Sequence, residues 1–279
     1  MQPSQADKAK KFHALHERAG AFVIPNPWDV GTARILAGLG FEALATTSAG
    51  LAFTLGRRDG ECAVTRDEAL EHARAMVEAT PLPVSADLEN GFGDAPEAAA
   101  ETIRLAAGVG LAGASIEDAS GDPARPIYEF SHALERVTAA VEAARSAPFS
   151  FTLTARAESF LFGRPDLDDT SRRLQAFEAA GADVLYAPGL PDLEAIRTVC
   201  GSVTRPVNVV MGLTGASFSV EELAAAGVKR ISLGSALSRA ALGAFLSAAR
   251  EIAERGTFSF AGSAVSFSDL DPFMRGRND

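Results

Sequence analysis

The phrase LAGLGFEALATTS, at positions 36–48, joins an alanine-rich segment to a short apolar run through a glycine. Glycine suits the end of a helix because it adopts the left-handed conformation without a Cβ clash. The apolar run suits a strand that is buried on both faces of a parallel sheet. The same phrase returns as LAAGVGLAGASIED (105–118), FEAAGADVLYAPG (177–189) and ELAAAGVKRISLGS (222–235). Each copy predicts a helix, a tight turn and a parallel strand.

Four further apolar runs follow turn signals or a predicted helix and have the length of strands. They are AFVIPN (21–26), LPVSADLE (82–89), SFTLTAR (150–156) and RPVNVVM (205–211). The two sets together give eight candidate strands, near residues 21, 43, 83, 113, 151, 183, 206 and 230. Eight alternating strands and helices in about 250 residues are the number expected of an α/β fold of the (β/α)8 TIM barrel type. An open, doubly wound sheet is the alternative, but no glycine-rich dinucleotide fingerprint follows the first strand.

The predicted barrel accounts for most of the chain. We therefore expect one domain over residues 1–279, large enough to close a core without disulfides. The stretch from about 257 to 279 lies beyond the eighth unit, and we expect it to form a C-terminal extension that contacts a neighbouring subunit.

Two predicted helices begin with the spacing of a capping box, in which a polar side chain and an acid three residues later bond to each other's backbone amides. Thr65 with Glu68 is one such pair, and Asp94 with Glu97 is the other. Both pairs predict helix starts between strands.

The composition opposes several classes of partner. The 26 basic and 36 acidic residues give a net charge of −10, which disfavours sequence-independent binding to nucleic acid or to an anionic membrane. No apolar run is long enough to span a bilayer, and no signal peptide is expected. Cys62 and Cys200 lie far apart, so the sequence indicates neither a disulfide framework nor a zinc site. We expect a cytoplasmic protein. If its substrate is an anion, a local cation must attract it.

Acidic side chains follow the third and fourth predicted strands. Asp87 and Glu89 end the third strand, Glu117 ends the fourth, and Arg156 ends the fifth. The active site of a TIM barrel lies at these carboxyl ends. Three carboxylates in a partly desolvated cup repel one another, and Arg156 offsets about one charge. A divalent metal would balance the rest, and ligands that are all oxygen favour Mg²⁺, or Mn²⁺, over zinc.

Two alternatives concern the same strand ends. The acids could instead be surface residues in rim salt bridges with Arg57, Arg58 or Arg125. Imine chemistry would need a desolvated lysine at a strand end. The lysines, which we expect to lie elsewhere, are Lys8, Lys10, Lys11 and Lys229.

Six short motifs occur along the chain in the order seen in one enzyme superfamily. They are NPWD (26–29), TSAG (47–50), LGRRD (55–59), ADLENGFG (86–93), SIED (115–118) and AR (155–156). On these motifs the chain resembles the isocitrate lyase and phosphoenolpyruvate mutase superfamily over most of its length. Each motif alone is a weak indicator of the superfamily. The specific signal is the combination of Gly-Phe-Gly after paired acids with Ile-Glu-Asp and Ala-Arg.

The resemblance implies a fold, a cofactor and a reaction class. The fold is a (β/α)8 barrel whose last helix is exchanged between the subunits of a homodimer or homotetramer. The cofactor is Mg²⁺, which holds a small 2-oxo or 2-hydroxy carboxylate. The reaction makes or breaks a C–C or P–C bond through an enolpyruvate-like intermediate.

The resemblance also implies roles for individual residues. Asp87 would be the direct metal ligand, and Glu89 and Glu117 would act through water. Thr47 and Ser48 resemble the hydroxyl and the backbone amide that hold the substrate carboxylate or oxyanion.

Other predicted site residues come from four strand ends. Arg156 resembles the arginine that pairs with the substrate, and Asp59 resembles the acid of the loop after the second strand. With Thr47 and Ser48 they form the predicted catalytic set. Trp28, after the first strand, and Asn208, on the seventh, are further predicted substrate-binding residues.

The loop after the fourth strand departs from the superfamily pattern. Lyases for isocitrate or methylisocitrate carry a Lys-(Lys/Arg)-Cys-Gly-His loop there, whereas this chain has ASGDPAR (119–125). The lysine and asparagine of the mutases are missing as well. Decarboxylation needs no strong base, so we expect a Mg²⁺-dependent lyase for an oxaloacetate-type acid. The alternatives are a methylisocitrate or P–C bond enzyme with a different acid, and a barrel that binds a metabolite without turnover.

Overall fold

A computed structural model describes residues 3–213 and 217–275. Eight parallel strands lie in this part of the chain, and they form one sheet in the order β1-β8-β7-β6-β5-β4-β3-β2. The strands are β1 (Phe22–Ile24), β2 (Leu44–Ala45), β3 (Val84–Asp87), β4 (Gly113–Glu117), β5 (Thr152–Arg156), β6 (Val184–Tyr186), β7 (Val207–Val210) and β8 (Arg230–Ser232). Ala45 donates its amide hydrogen to the carbonyl of Pro25, just after β1, at 3.1 Å, which links the two ends of the sheet. The predicted (β/α)8 barrel is confirmed.

Helices alternate with these strands. They are α1 (Gln5–Glu17), α2 (Val30–Gly38), α3 (Ser48–Thr54), α4 (Arg66–Ala79), α5 (Pro96–Gly108), α6 (Phe130–Arg145), α7 (Leu167–Ala180), α8 (Leu193–Ser202), α9 (Val220–Ala225), α10 (Ala236–Arg255) and α11 (Phe267–Met274), with a 3₁₀ helix at Ser259–Ser263. Within the described ranges, none of them is both long enough and apolar enough to cross a membrane.

Helix α1 closes the amino-terminal end of the barrel. Phe12 and Leu15 are buried there against Phe22 and Ile24 of β1. Gly113 allows this contact, because a Cβ at that position would lie 2.5 Å from the carbonyl oxygen of Thr152 and 3.0 Å from the Phe12 ring. The opposite end of the barrel is left for the strand-end polar groups.

One of the two predicted capping boxes forms. The Thr65 hydroxyl accepts from the Glu68 amide at 3.3 Å, and the Glu68 carboxylate accepts from the Thr65 amide at 2.9 Å. The Asp94 prediction is wrong, since α5 begins at Pro96 without a side-chain cap. The N-cap position falls on Ala95, which has no side-chain oxygen, and the Asp94 carboxylate instead accepts a 2.5 Å hydrogen bond from the Tyr128 hydroxyl.

The chain beyond β8 lies largely outside the barrel. Along α10, the side chains of Phe245 and Leu246 are exposed. Helix α11 returns to pack on α2, where the Phe273 ring fills the space left by Gly38.

Candidate active site

A cavity of about 150 Å³ lies at the carboxyl ends of the strands. This is the end at which TIM barrels hold their catalytic groups. Its polar lining includes Asn26, Thr47, Ser48, Asp59, Asp87, Ser115, Arg156, Tyr186, Asn208, Arg230 and Ser232. The barrel thus brings most of the residues predicted from the sequence to one place.

Arg156, the last residue of β5, stands at the centre of the charged groups. Its Nη1 lies 2.7 Å from Oδ1 of Asp87, its Nη2 lies 3.3 Å from Oε2 of Glu117, and its Nε lies 2.7 Å from Oε1 of Glu158. Its guanidinium also lies over the Tyr186 ring, 4.9 Å from the ring centroid. Burial opposes the charge, but the three carboxylates outweigh it and raise the pKa of Arg156 further above its usual value.

Asp87, the last residue of β3, is held by hydroxyl groups from two neighbouring elements. Ser48 donates to its Oδ2 at 3.3 Å, and Ser115 of β4 donates to its Oδ1 at 3.4 Å. The Asp87 amide donates to the Thr46 hydroxyl at 3.0 Å. Both carboxylate oxygens are therefore held by hydroxyl groups in the lining of the cavity.

Two glutamates that contact Arg156 are largely shielded from solvent, with 15% of the Glu117 side chain and 2% of the Glu158 side chain exposed. Glu117 is the last residue of β4, and Glu158 lies two residues beyond the end of β5. Burial raises the pKa of each above its usual value despite the attraction of Arg156. Glu158 was not among the site residues predicted from the sequence. Its separation from Arg156 by two residues is the signal, since an alternating backbone returns to the same side after two positions.

Two further acids, Glu89 and Asp59, lie near this centre, and neither forms a salt bridge with a cation in the part of the chain that the structure describes. Burial, together with the charges of Asp87 and Asp59, raises the pKa of Glu89 to about 7. Burial and Asp87 also raise the pKa of Asp59. Arg156 is thus the common cation for five carboxylates, and negative charge is in excess.

The loop that carries Glu89 has an unusual backbone. Glu89 and Phe92 have φ angles of 48° and 59°, in the left-handed region that residues with a Cβ rarely adopt. Arg136, from α6, holds this loop by donating to the carbonyl oxygens of Asn90 and Gly93. The Glu89 carbonyl also accepts from the Glu117 amide at 3.0 Å.

Thr47 and Ser48 begin α3 at the cavity edge. The Thr47 hydroxyl caps the helix by accepting from the Gly50 amide at 3.3 Å, so its own hydrogen is available to a ligand. Gly50 allows a close approach, because a Cβ there would lie 2.5 Å from the Thr47 methyl group and 2.9 Å from Trp28.

The two predicted substrate-binding residues from β1 and β7 occupy different positions. Trp28 lies outside the lining of the cavity, and its carbonyl oxygen is 2.9 Å from Nε2 of His72. Asn208 lies deep in the cavity, where it accepts from Arg230 at 2.8 Å and donates to Ser232 at 3.0 Å. Arg230 and Tyr186 were not among the predicted site residues, because nothing local distinguishes them from other strand residues.

The proposed rim salt bridges are not formed by the arginines named for them. Arg57 pairs with Glu68, and Arg58 pairs with Glu61. Arg125 pairs with Asp122 in its own loop. These arginines are therefore paired elsewhere, and the strand-end acids face Arg156.

The donor set at the mouth suits a hard divalent cation. It consists of carboxylate and hydroxyl oxygens, which Mg²⁺ prefers. Among residues 3–213 and 217–275, no three Asp, Glu, His or Cys side chains stand close enough together to ligate one ion directly. The mouth therefore suits a hard cation through the chemistry of its oxygen donors and through its excess of carboxylates over the guanidinium of Arg156, and not through a set of three direct ligands among the described residues.

Comparison with known families gives a match over most of the chain. Residues 12–253 match the family model described as phosphoenolpyruvate phosphomutase. The chain belongs to this family. The resemblance to the isocitrate lyase and phosphoenolpyruvate mutase superfamily is confirmed, and the superfamily consists of enzymes.

Relatives of this phosphomutase family member include solved structures and curated proteins. A structure described as a putative lyase/mutase from Burkholderia cenocepacia is 59% identical, with a TM-score of 0.95 over 98% of this chain and 97% of that one. An uncharacterised protein of Mycobacterium tuberculosis is 33% identical over 87% of this chain and 89% of its own length. The oxaloacetate decarboxylase of a Marinomonas species is 27% identical over 96% of this chain and 94% of its own.

Proposed function

We propose that this enzyme is a Mg²⁺-dependent lyase that decarboxylates a small 2-oxo diacid such as oxaloacetate. The observation that supports it best is the contact of Arg156 with Asp87, Glu117 and Glu158 in a cavity at the strand ends. An arginine in that position can bind an anionic substrate. The relationship to an oxaloacetate decarboxylase favours this substrate among the acids of the superfamily.

Asp87 would hold the metal directly, and Glu89 and Glu117 would hold it through water. When bound, Mg²⁺ supplies Lewis-acid stabilisation of negative charge on the 2-oxo oxygen. Mn²⁺ has the same preference for oxygen ligands and would replace it.

The chain's own residues orient the substrate. Three contacts use three of the five N–H groups of Arg156, and the remaining two can bind a carboxylate. The Thr47 hydroxyl and the Ser48 amide lie at the same edge and would donate to the 2-oxo oxygen, with Asp59 beside them.

In the proposed reaction the bond between C3 and the C4 carboxylate breaks and CO₂ leaves. The electron pair moves into C3 and the 2-oxo group, and a proton from water then adds to C3 to give pyruvate. No strong base takes part, which agrees with a loop over 119–125 that has no Cys, Lys or His.

The test is product analysis with oxaloacetate. We expect pyruvate and CO₂ to form in a Mg²⁺-dependent reaction that is faster than with Mg²⁺ alone, and Asp87→Ala to abolish the difference. Asp168→Ala, which alters an exposed acid on α7, is the matched control and should retain full activity. A rate no higher than that of free Mg²⁺, or acetate and oxalate as products, would overturn the proposal.

The alternatives make different predictions in the same assay. A methylisocitrate or phosphonate enzyme would act on those substrates and leave oxaloacetate unchanged. A barrel that only binds a metabolite would be stabilised by oxaloacetate in the presence of Mg²⁺ without consuming it.

We also propose a cytoplasmic homodimer or homotetramer, one domain per chain, in which α10 packs on a neighbouring subunit. The support is the exposure of Leu242, Phe245 and Leu246 on that helix, which leaves an apolar face uncovered. Light scattering should give a mass of at least two chains, and Phe245→Glu should lower it. A monomeric wild type would contradict this.

A further inference from the structure

Arg230 places a buried positive charge at the floor of the cavity, below the acids of the mouth. It is the first residue of β8, and only 5% of it is exposed. Its Nε donates to Oδ1 of Asn208 at 2.8 Å, and its Nη2 donates to the Thr154 hydroxyl at 3.0 Å. Its Nη1 lies 3.4 Å from Nε2 of His16. Within residues 3–213 and 217–275, no carboxylate lies within 4.0 Å of this guanidinium.

The described residues that contact Arg230 are neutral. Nδ1 of His16 lies 2.9 Å from the Phe12 carbonyl oxygen, so this nitrogen carries the hydrogen and Nε2 faces Arg230 as an acceptor. Burial, and then repulsion by Arg230, lowers the pKa of His16 to about 3, so it is neutral near pH 7. Burial is also the main reason that the pKa of Arg230 falls to about 10, and it still carries its charge at that pH.

Other buried arginines in this barrel are compensated. Arg156 has three carboxylates, and Arg173 has Asp118 and Asp169. Arg136 is clamped onto loop carbonyls away from the cavity. Arg230 differs from them because it has only neutral partners and lines the cavity. An isolated buried charge costs several kcal/mol unless an anion accompanies it.

The position of Arg230 suits a short ligand with two charged ends. Thr154, which accepts from Arg230, and Arg156 are two residues apart on β5, a rise of about 7 Å. The same cavity reaches both arginines. A four-carbon diacid has three C–C bonds of about 1.5 Å each, so its carboxylates can approach both groups. The three contacts of Arg230 leave two of its five N–H groups for a ligand.

We propose that Arg230 binds the second carboxylate of a short dicarboxylate whose other end lies beside Arg156, and that the cavity thereby selects diacids over monoacids. This rests on the proposed function for the identity of the substrate. The carboxylate that is lost becomes neutral CO₂, so an ion pair between it and Arg230 is strongest in the bound substrate. The pair with Arg230 therefore contributes to substrate binding and not to bond cleavage.

The test compares the binding of unreactive acids with and without the free charge. Calorimetry in the presence of Mg²⁺ would use succinate as the diacid and acetate as the monoacid. Arg230→Gln removes the charge, Asn208→Asp neutralises it while the guanidinium stays in place, and Arg230→Lys retains it. Thr152→Val, one pleat lower on β5, is the control for a changed barrel floor.

We expect Arg230→Gln and Asn208→Asp to weaken succinate binding about tenfold or more and to leave acetate binding unchanged. Arg230→Lys should retain part of the preference for succinate over acetate, and Thr152→Val should retain all of it. With oxaloacetate, KM should rise in the first two variants while kcat does not fall.

The inference would be overturned if Arg230→Gln weakened the binding of succinate and acetate equally, or weakened the binding of neither. An unchanged preference for succinate over acetate in Asn208→Asp would also overturn it. If Arg230→Gln fails to fold, this variant still tests the inference, because it keeps the guanidinium and replaces only the amide nitrogen that donates to Ser232. Succinate binding that depends on Arg230, without oxaloacetate turnover, would sustain the inference and reject the proposed reaction.

Discussion

Nη1 of Arg156 lies 2.7 Å from Oδ1 of Asp87 across the mouth of the barrel. The pair joins the principal cation of the site to the proposed metal ligand. Ser48 holds the other Asp87 oxygen at 3.3 Å, so the carboxylate is oriented from both sides. A change at Arg156 will therefore affect the orientation of Asp87 as well as the binding of an anion.

Arg156→Gln should lower both activity and stability. It leaves Asp87, Glu117 and Glu158 without their common cation, and removal of one partner from a buried cluster costs about 3 kcal/mol or more. We expect kcat/KM to fall by about 10²- to 10³-fold.

The loss of stability in Arg156→Gln should depend on pH. Burial already raises the pKa of Glu117 and Glu158 despite the attraction of Arg156, so without Arg156 the folded-state pKa of these two acids lies still further above the unfolded value. The variant is therefore stabilised as the pH falls through that raised pKa and the acids take up protons. Urea unfolding at pH 5 and pH 7 should show a smaller deficit at pH 5, and an equal deficit would contradict the coupling.

Glu158→Gln should change the orientation of Arg156 rather than remove a group that touches substrate. Glu158 is 2% exposed and contacts Nε of Arg156 at 2.7 Å, while its backbone amide donates to Asp118. Glutamine keeps an acceptor but loses the charge-assisted bond, so we expect about a tenfold loss of kcat/KM. Glu158→Asp, with a shorter side chain that retains the charge, should recover part of it. Steady-state kinetics of both variants would check this, and equal activity of Gln and wild type would exclude the positioning role.

The barrel was predictable because its signals are local. The same phrase occurs four times: an alanine-rich helix, then a glycine, then an apolar run. The strand at Gly113–Glu117, for example, is the apolar run of one such phrase. The strand-end acids Asp87 and Glu117 were predictable for the same reason, since a parallel sheet puts all carboxyl ends at one edge.

The remaining features depend on partners that are distant in sequence. Asp94 fails as a cap because Tyr128 binds its carboxylate. Arg230 is distinguished only by the absence of a nearby acid among the described residues, which depends on how β5, β7 and β8 meet helix α1. Local spacing carries no information about either environment.

His16 should make the fold sensitive to acid. Its pKa is about 3 in the folded barrel, where burial is the main cause, and 6.5 is its ordinary value. Because the folded pKa is the lower one, the unfolded chain binds the proton first. The stability is complete above about pH 6.5 and falls by about 1.4 kcal/mol per pH unit below it, or about 2 kcal/mol by pH 5.

Carboxylates of the protein titrate over the same pH range as His16. The informative quantity is therefore the difference in free energy of unfolding between wild type and His16→Asn. Wild type and His16→Asn should be unfolded in urea at several values between pH 4 and pH 8. The destabilisation caused by His16→Asn should shrink as the pH falls below 6.5. A difference that does not vary with pH would mean that His16 is already protonated or exposed in the folded state.

Thr152→Val should stabilise the protein. Thr152 is 2% exposed, and its hydroxyl has no hydrogen-bond partner among the described residues. Valine has nearly the same shape, and it removes the cost of an unsatisfied buried hydroxyl, which is about 1 kcal/mol or more. Thr154→Val is the matched control on the same strand face, because its hydroxyl accepts from Arg230 at 3.0 Å and its loss should destabilise the fold by about 1 kcal/mol. Urea midpoints should therefore move in opposite directions for the two variants, and a lower midpoint for Thr152→Val would mean that a water molecule at the barrel floor satisfies its hydroxyl.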